Sequence, residues 1–140
     1  MSRIFWDTNL FIYLLEGAGE HTERVAALRR RMIERDDELL TSALTLGEVL
    51  VKPIEVGDED LMRRYQYAIE TGATVLPFDR RAASVFAEVR QDRSIRPPDA
   101  IQLACASAAG TDMFITNDDR LTRKIIRGIH FIRSLETAML

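Results

Sequence analysis

Read from its amino terminus, the chain alternates short apolar runs with longer segments whose apolar residues recur every three or four positions. Ile4-Phe5-Trp6 has the bulk and β-preference of a buried strand, and Asn9 to Glu16, closed by Gly17, has the pattern of a helix. His21 to Arg35 sets Val25, Leu28 and Met32 on one helical face and Arg24, Arg29, Arg30, Arg31 and Arg35 elsewhere, a solvated arginine face over an apolar stripe. Glu38 to Thr41 predicts a short strand and Ser42 a cap for a helix over Ala43 to Val51, after which Pro53 and Gly57 interrupt the pattern. Asp58-Glu59-Asp60 opens a helix to Thr71, its acids answering the helix dipole.

The second half repeats the alternation. Thr74 to Phe78 predicts a third strand, and Asp79 caps a helix reaching Asp92. Pro97 and Pro98 hold the chain extended before a helix that Asp99 opens and Gly110 ends, and its many alanines predict close packing against a sheet. Met113 to Thr116 is a fourth strand, Arg120 to Ile126 a short helix, Ile129 to Ile132 a last strand, and Ser134 the cap of a terminal helix. Strands alternating with helices predict an α/β fold, and 140 residues make one domain, residues 1–140, with a single core.

Composition narrows the class. With 46% hydrophobic and 29% charged residues the chain is globular, and the lone cysteine, Cys105, sits among alanines as a buried small apolar group that cannot form an internal disulfide. No signal-peptide pattern opens the sequence and no apolar run nears the ~20 residues that span a bilayer, so the expectation is a cytoplasmic protein with no membrane partner. The net charge of −3 excludes a broadly basic nucleic-acid-binding surface. All but two of the 19 cations are nevertheless arginine, the better fork for phosphate, so any phosphate-bearing ligand is held by a local site.

Four acids stand out by position. Asp7 follows the first strand, at the edge where open α/β sheets bind ligands, although capping the next helix accounts for it equally well. Asp118 repeats that placement after the fourth strand. Glu48 rides on a helix among Leu46, Val49, Leu50 and Val51, where an inward glutamate needs a partner, and Asp99 stands at a helix start. His21 and His130 lack a neighbouring histidine or cysteine, so neither has a metal-site context.

These acids occur in Asp7-Thr8-Asn9, Thr45-Leu46-Gly47-Glu48-Val49-Leu50, Pro98-Asp99-Ala100-Ile101-Gln102-Leu103-Ala104 and Ile115-Thr116-Asn117-Asp118, and in that order the sequence resembles the PIN-domain ribonucleases, within them the VapC-type toxins of toxin-antitoxin pairs. The resemblance implies a single PIN-like domain with a parallel sheet of about five strands flanked by helices, the four acids converging in one cleft, and metal-dependent hydrolysis of RNA phosphodiester bonds. It implies Asp7, Asp99 and Asp118 as metal ligands, with Glu48 either binding metal or positioning the attacking water. Oxygen-only ligands favour Mg2+, or Mn2+, over zinc. Thr8, Asn9, Thr116 and Asn117 are then orienting or phosphate-contacting groups, and Arg96 and Arg120 phosphate contacts; ordinary turn and surface roles compete for all six. The Thr-Asn-Asp pattern selects Asp118 over Asp119.

The resemblance further implies a cognate antitoxin whose tail enters the cleft, and a homodimer. Leu10, Phe11, Tyr13, Leu14 and Leu15 on the first helix offer apolar surface for the latter. Two other readings compete. A haloacid-dehalogenase-like phosphohydrolase also places an aspartate after its first strand but needs a second acid two residues on, where this chain has Asn9. A non-catalytic PIN-fold binding module would be signalled by loss of one of the acids.

Overall fold

The computed structural model describes residues 1–17 and 19–140. The elements are β1 (Arg3–Trp6), α1 (Thr8–Glu16), α2 (His21–Glu34), β2 (Glu38–Ser42), α3 (Ala43–Glu55) and α4 (Glu59–Gly72), followed by β3 (Thr74–Leu76), α5 (Arg80–Val89), α6 (Pro97–Ala109), β4 (Thr111–Thr116) and β5 (Ile129–Ser134). All strand pairs are parallel, in the order β3-β2-β1-β4-β5. The chain winds outward from β1 through β2 to β3, then returns to the other side of β1 for β4. The order therefore reverses between β1 and β4, and the crevice at that reversal, beyond the carboxyl ends of the strands, is where such sheets bind ligands.

The period-two alternation of a strand divides the core. Ile4 and Trp6 of β1 and Ile115 of β4 pack with Leu10, Val25, Met32, Val49 and Ile69 under α1 to α4. Phe5, Leu40 and Phe114 turn the other way, to Leu103, Ala106 and Val89 under α5 and α6. Phe5 and Phe114 stack with ring centroids 5.0 Å apart. On that second side the alternation goes on into polar residues: Asp7 follows Phe5, Ser42 follows Leu40 and Thr116 follows Phe114. All three are buried, so the sheet delivers a polar row to the amino-terminal end of α6.

Local chemistry moves several element boundaries from their predicted places. α3 runs through Pro53 to Glu55: the proline lacks only its own amide, Val56 N–H still reaches Lys52 O at 3.1 Å, and Gly57 at φ +73° makes the exit. Pro97 and Pro98 are not extended approach but the first helical residues of α6, where a missing N–H costs nothing, and Arg96 is the extended cap. Ser42 occupies the cap position of α3 but turns its hydroxyl to Gln102 instead of the helix. β3 stops at Leu76, short of Phe78, and α5 at Val89, short of Asp92.

No helix forms over Arg120 to Ile126. Arg120 N–H donates to Asp118 Oδ1 at 3.0 Å, and this side-chain turn competes with helical pairing, leaving successive turns that bury Leu121. The predicted terminal helix is one turn: Ser134 Oγ accepts Thr137 N–H at 3.1 Å, but nothing follows to propagate it. The predicted caps Asp58 and Asp79 do accept amide hydrogens, from Leu61 and Ala82. Cys105 is buried, and burial followed by the charge of Asp79 pushes its thiol up to about 11, which leaves it unreactive.

Candidate active site

Each acid reaches the crevice from a different element. Asp7 leaves β1 on the α6 side, Glu48 projects from α3, Asp99 from the first turn of α6 and Asp118 from the turn after β4. Asp7, Thr8, Asn9, Glu48, Asp99 and Asp118 line one cleft of about 530 Å³, with Arg96, Gln102 and the apolar Ile12 and Val51 among the rest of its wall. On helices α3 and α6 the placement follows from spacing of three residues, which sets Thr45 with Glu48 and Asp99 with Gln102 on common faces. Asp7 caps α1 as well, its Oδ1 accepting Thr8 N–H at 2.9 Å, so capping and the site role coexist in one carboxylate.

Asp7 is 8% exposed and held by neutral donors. Oδ1 also accepts from Gln102 Nε2 at 3.2 Å, and Oδ2 accepts the Thr116 hydroxyl at 2.8 Å. Thr116 Oγ1 in turn accepts Asp118 N–H at 3.1 Å, so one fully buried threonine ties the ends of β1 and β4 together. Thr8 Oγ1 donates to Glu48 Oε1 at 2.7 Å, giving that exposed glutamate an anchor in the cleft.

The charges of the acids are balanced in two ways. Burial, outweighing the hydrogen bonds of Thr116, Thr8 and Gln102, raises the Asp7 carboxyl above its ordinary range, and the charge of Glu48 adds to the rise. Asp99 is raised by burial and then by the charges of Asp7 and Asp118, against Arg96 and Arg120. Asp118 is lowered, chiefly by the Arg120 guanidinium, whose Nε and Nη2 lie 3.0 and 2.8 Å from its two oxygens. Arg96 adds weaker pairing, 3.7 Å to Asp99 and 3.9 Å to Asp118.

As arranged, no three of the described His, Cys, Asp or Glu side chains are gathered closely enough to hold one metal ion. Two of the acids are already engaged: neutral donors hold Asp7, and the Arg120 fork occupies Asp118. The chemistry of the donor set nevertheless fits a hard divalent cation. It is all oxygen, and burial first, then neighbouring acid charge, raises Asp7 and Asp99, a cost of ionisation that a bound cation would offset.

One predicted group, Asn117, lies elsewhere, and Asp119, passed over in favour of Asp118, lies outside the cleft too. Asn117 turns away from the cleft, its Nδ2 donating to Tyr13 Oη at 3.0 Å. Asp119 lines a separate depression with Arg123 and Arg133. His21 packs on the Tyr13 ring and His130 faces Asp112 at the opposite end of β4, neither near the acids. Three participants are not singled out by sequence reading: Ser42, Thr45 and Gln102, all buried and joined by hydrogen bonds, with Gln102 Nε2 2.7 Å from Thr45 Oγ1. Their common signal is a polar residue one helical turn before a candidate acid, at the end of a strand, or one turn after such an acid.

Comparison with known proteins extends the geometric reading. No curated protein matches in sequence. In fold, the chain resembles one in VapBC2 from Rickettsia felis bound to a promoter DNA fragment, with a TM-score of 0.76 at 13% identity over 94% of this chain and 98% of that one. DNA-bound VapBC from Salmonella typhimurium contains a similar chain, with a TM-score of 0.66, 22% identity and coverage of 96% and 99%. A chain of VapBC-5 from Mycobacterium tuberculosis gives 0.61, 22%, 95% and 99%. At such identities the likeness is one of fold. The family model described as PIN domain matches residues 4–125, from the strand that delivers Asp7 to beyond the turn that delivers Asp118. With all four acids inside a match over most of its length, the chain belongs to the PIN domain family.

Proposed function

We propose that the domain, residues 1–140, is a divalent-metal-dependent endoribonuclease and the toxin of a toxin-antitoxin pair acting in the cytoplasm. The observation that carries this reading is the convergence of Asp7, Glu48, Asp99 and Asp118 from four elements on one cleft at the sheet's reversal point. Asp7, Asp99 and Asp118 would hold Mg2+ or Mn2+, which when bound supplies Lewis acidity toward phosphate oxygens and makes water a stronger acid. Glu48, turned inward by Thr8, orients the attacking water in line with the scissile bond and takes its proton as the water oxygen joins phosphorus. The bond from phosphorus to the leaving ribose oxygen breaks on the opposite side, and that oxygen takes a proton from solvent water to leave as the hydroxyl. Thr116 fixes Asp7, and Asn9, Arg96 and Arg120 meet the non-bridging oxygens once the backbone enters.

Protein partners belong to the same reading. An apolar groove of about 530 Å³ lined by Leu15, Val49, Pro53, Leu61 and Tyr65 shares Ile12, Glu48 and Val51 with the cleft. That continuity suits an antitoxin segment whose apolar residues fill the groove while an arginine or lysine reaches the acids. A homodimer would not use the front of α1. Leu10 and Phe11 are buried, and Tyr13, Leu14 and Leu15 pack on the same core, whereas Ile54 near the end of α3, outside the groove, is 60% exposed.

A non-catalytic binding module has one observation in its favour, the Arg120 fork that already neutralises Asp118. Incubation of the purified chain with RNA, in Mg2+ or Mn2+ and in EDTA, separates the two. Cleavage that EDTA stops supports the nuclease; intact RNA in both supports the binding module.

A further inference from the structure

Gln102 stands where four elements meet, 2% exposed, with its two ends facing different groups. Its Oε1 accepts the Ser42 hydroxyl at the end of β2. Its Nε2 lies 2.7 Å from Thr45 Oγ1, 3.1 Å from Thr8 Oγ1 and 3.2 Å from Asp7 Oδ1, so two hydrogens serve three acceptors. The reversed amide would set oxygen against the Asp7 carboxylate, acceptor against acceptor, which decides the orientation.

The orientation propagates. Thr8 Oγ1 accepts from Gln102 and gives its single hydrogen to Glu48 Oε1, which as a carboxylate can only accept, so the Thr45 hydroxyl 3.1 Å away is left to donate to Thr8 and donors run one way from Ser42 through Gln102 and Thr8 to two different acids. At Asp7, Thr8 N–H and Gln102 occupy both lone pairs of Oδ1, while Oδ2 accepts from Thr116 and keeps one pair to spare.

We propose that Gln102 is a positioning residue: through these contacts it fixes the Asp7 carboxylate so that Oδ2 is the oxygen offered to a divalent cation, and through Thr8 it holds Glu48 toward the same cleft. This rests on the nuclease reading of the cleft. The structural alternative is a buried amide that merely satisfies Ser42 and Thr45.

Calorimetric titration with Mn2+ and thermal unfolding of the metal-free protein distinguish them, on wild type, Gln102→Met, Ser42→Ala and the double variant. Gln102→Met weakens Mn2+ binding by about 10–100-fold, the range for losing a group that orients a metal ligand, and lowers kcat while leaving KM for RNA nearly unchanged. The double variant removes the Ser42 hydroxyl that Gln102→Met leaves without a partner, so metal-free stability recovers while Mn2+ affinity stays low. Affinity that recovers with stability, or that is unchanged in Gln102→Met, overturns the proposal. If Gln102→Met does not fold, Ser42→Ala decides, since it touches none of the acids: weakened Mn2+ binding supports the proposal and unchanged binding overturns it. A wild type that takes up no Mn2+ overturns the nuclease reading and this inference with it.

Discussion

Asp7 and Asp118 end neighbouring strands in one cleft and are held by opposite means. Asp7 is buried among neutral donors that belong to the core, Thr116, Gln102 and the Thr8 amide, and its carboxyl is raised by burial. Asp118 has a side chain 19% exposed and is lowered by a guanidinium whose own side chain is 59% exposed. Neutral donors orient a carboxylate without neutralising it, so Asp7 keeps its demand for an outside cation. An arginine fork satisfies that demand, and Asp118 has to give up the fork before it can serve a cation. The Asp7 end is a fixed seat and the Asp118 end an exchangeable one, because exposed ion pairs are weak and screened by salt.

The largest effects fall on the fixed seat. Asp7→Asn should abolish RNA cleavage, and Glu48→Gln should lower kcat by about 10²–10⁴-fold, the range for a lost general base, in single-turnover assays. Equal losses of Mn2+ affinity in both variants would make Glu48 a ligand. At the exchangeable end, Asp118→Asn should weaken Mn2+ binding about tenfold or more, whereas Asp119→Asn, facing another depression, should leave it unchanged. The reverse order would mean that the turn has a different register in solution.

Arg120→Gln should have a smaller effect of mixed sign. Mn2+ binding tightens at low ionic strength because the competing fork is gone, RNA binding weakens because a phosphate contact is gone, and the gain in Mn2+ affinity shrinks as salt rises. Tighter binding of both ligands would remove Arg120 as a phosphate contact.

Metal-free stability should show the comparison as opposite slopes with pH. A carboxyl raised in the folded state, as at Asp7 and Asp99, is deprotonated first in the unfolded chain, so its contribution is full below the ordinary carboxylate value of 3.8 and lost as pH rises through the folded value. For Asp118, lowered when folded, the contribution is present above 3.8 and lost as pH falls through the folded value. Asp99→Asn should therefore raise the unfolding temperature by a few degrees at neutral pH, with the gain fading toward pH 4. Asp118→Asn should lower it slightly.

The same contrast explains what is legible from the residues. β1 and β4 are buried apolar runs that stop at a polar residue, so the placement of Asp7 and Asp118 at strand ends follows from pattern alone, as do the helical faces of Glu48 and Asp99. Alternation along β1, β2 and β4 also implies the buried polar row of Asp7, Ser42 and Thr116, once the sheet order is known. That order depends on contacts far apart in the chain, and Gln102 acquires its role only where α6 crosses that row. The segment after Asp118 misleads because its residues suit a helix, while the side chain of Asp118 captures the backbone and guanidinium of Arg120. Pro53 misleads in the other direction, since the following turn of α3 makes its bonds without it.

Single-turnover cleavage of RNA by Asp99→Asn beside wild type, in Mn2+, tests most directly whether the four acids act as one metal-dependent site. Among the described residues Asp99 makes no hydrogen bond that caps or braces the fold, and its ion pairing is the long contact with Arg96. Its loss should spare folding and remove activity. Wild type should cleave RNA in Mn2+ and not in EDTA, and Asp99→Asn, folded and at least as heat-stable, should leave RNA intact in both. Full cleavage by folded Asp99→Asn, or cleavage by wild type that is indifferent to EDTA, would contradict the account.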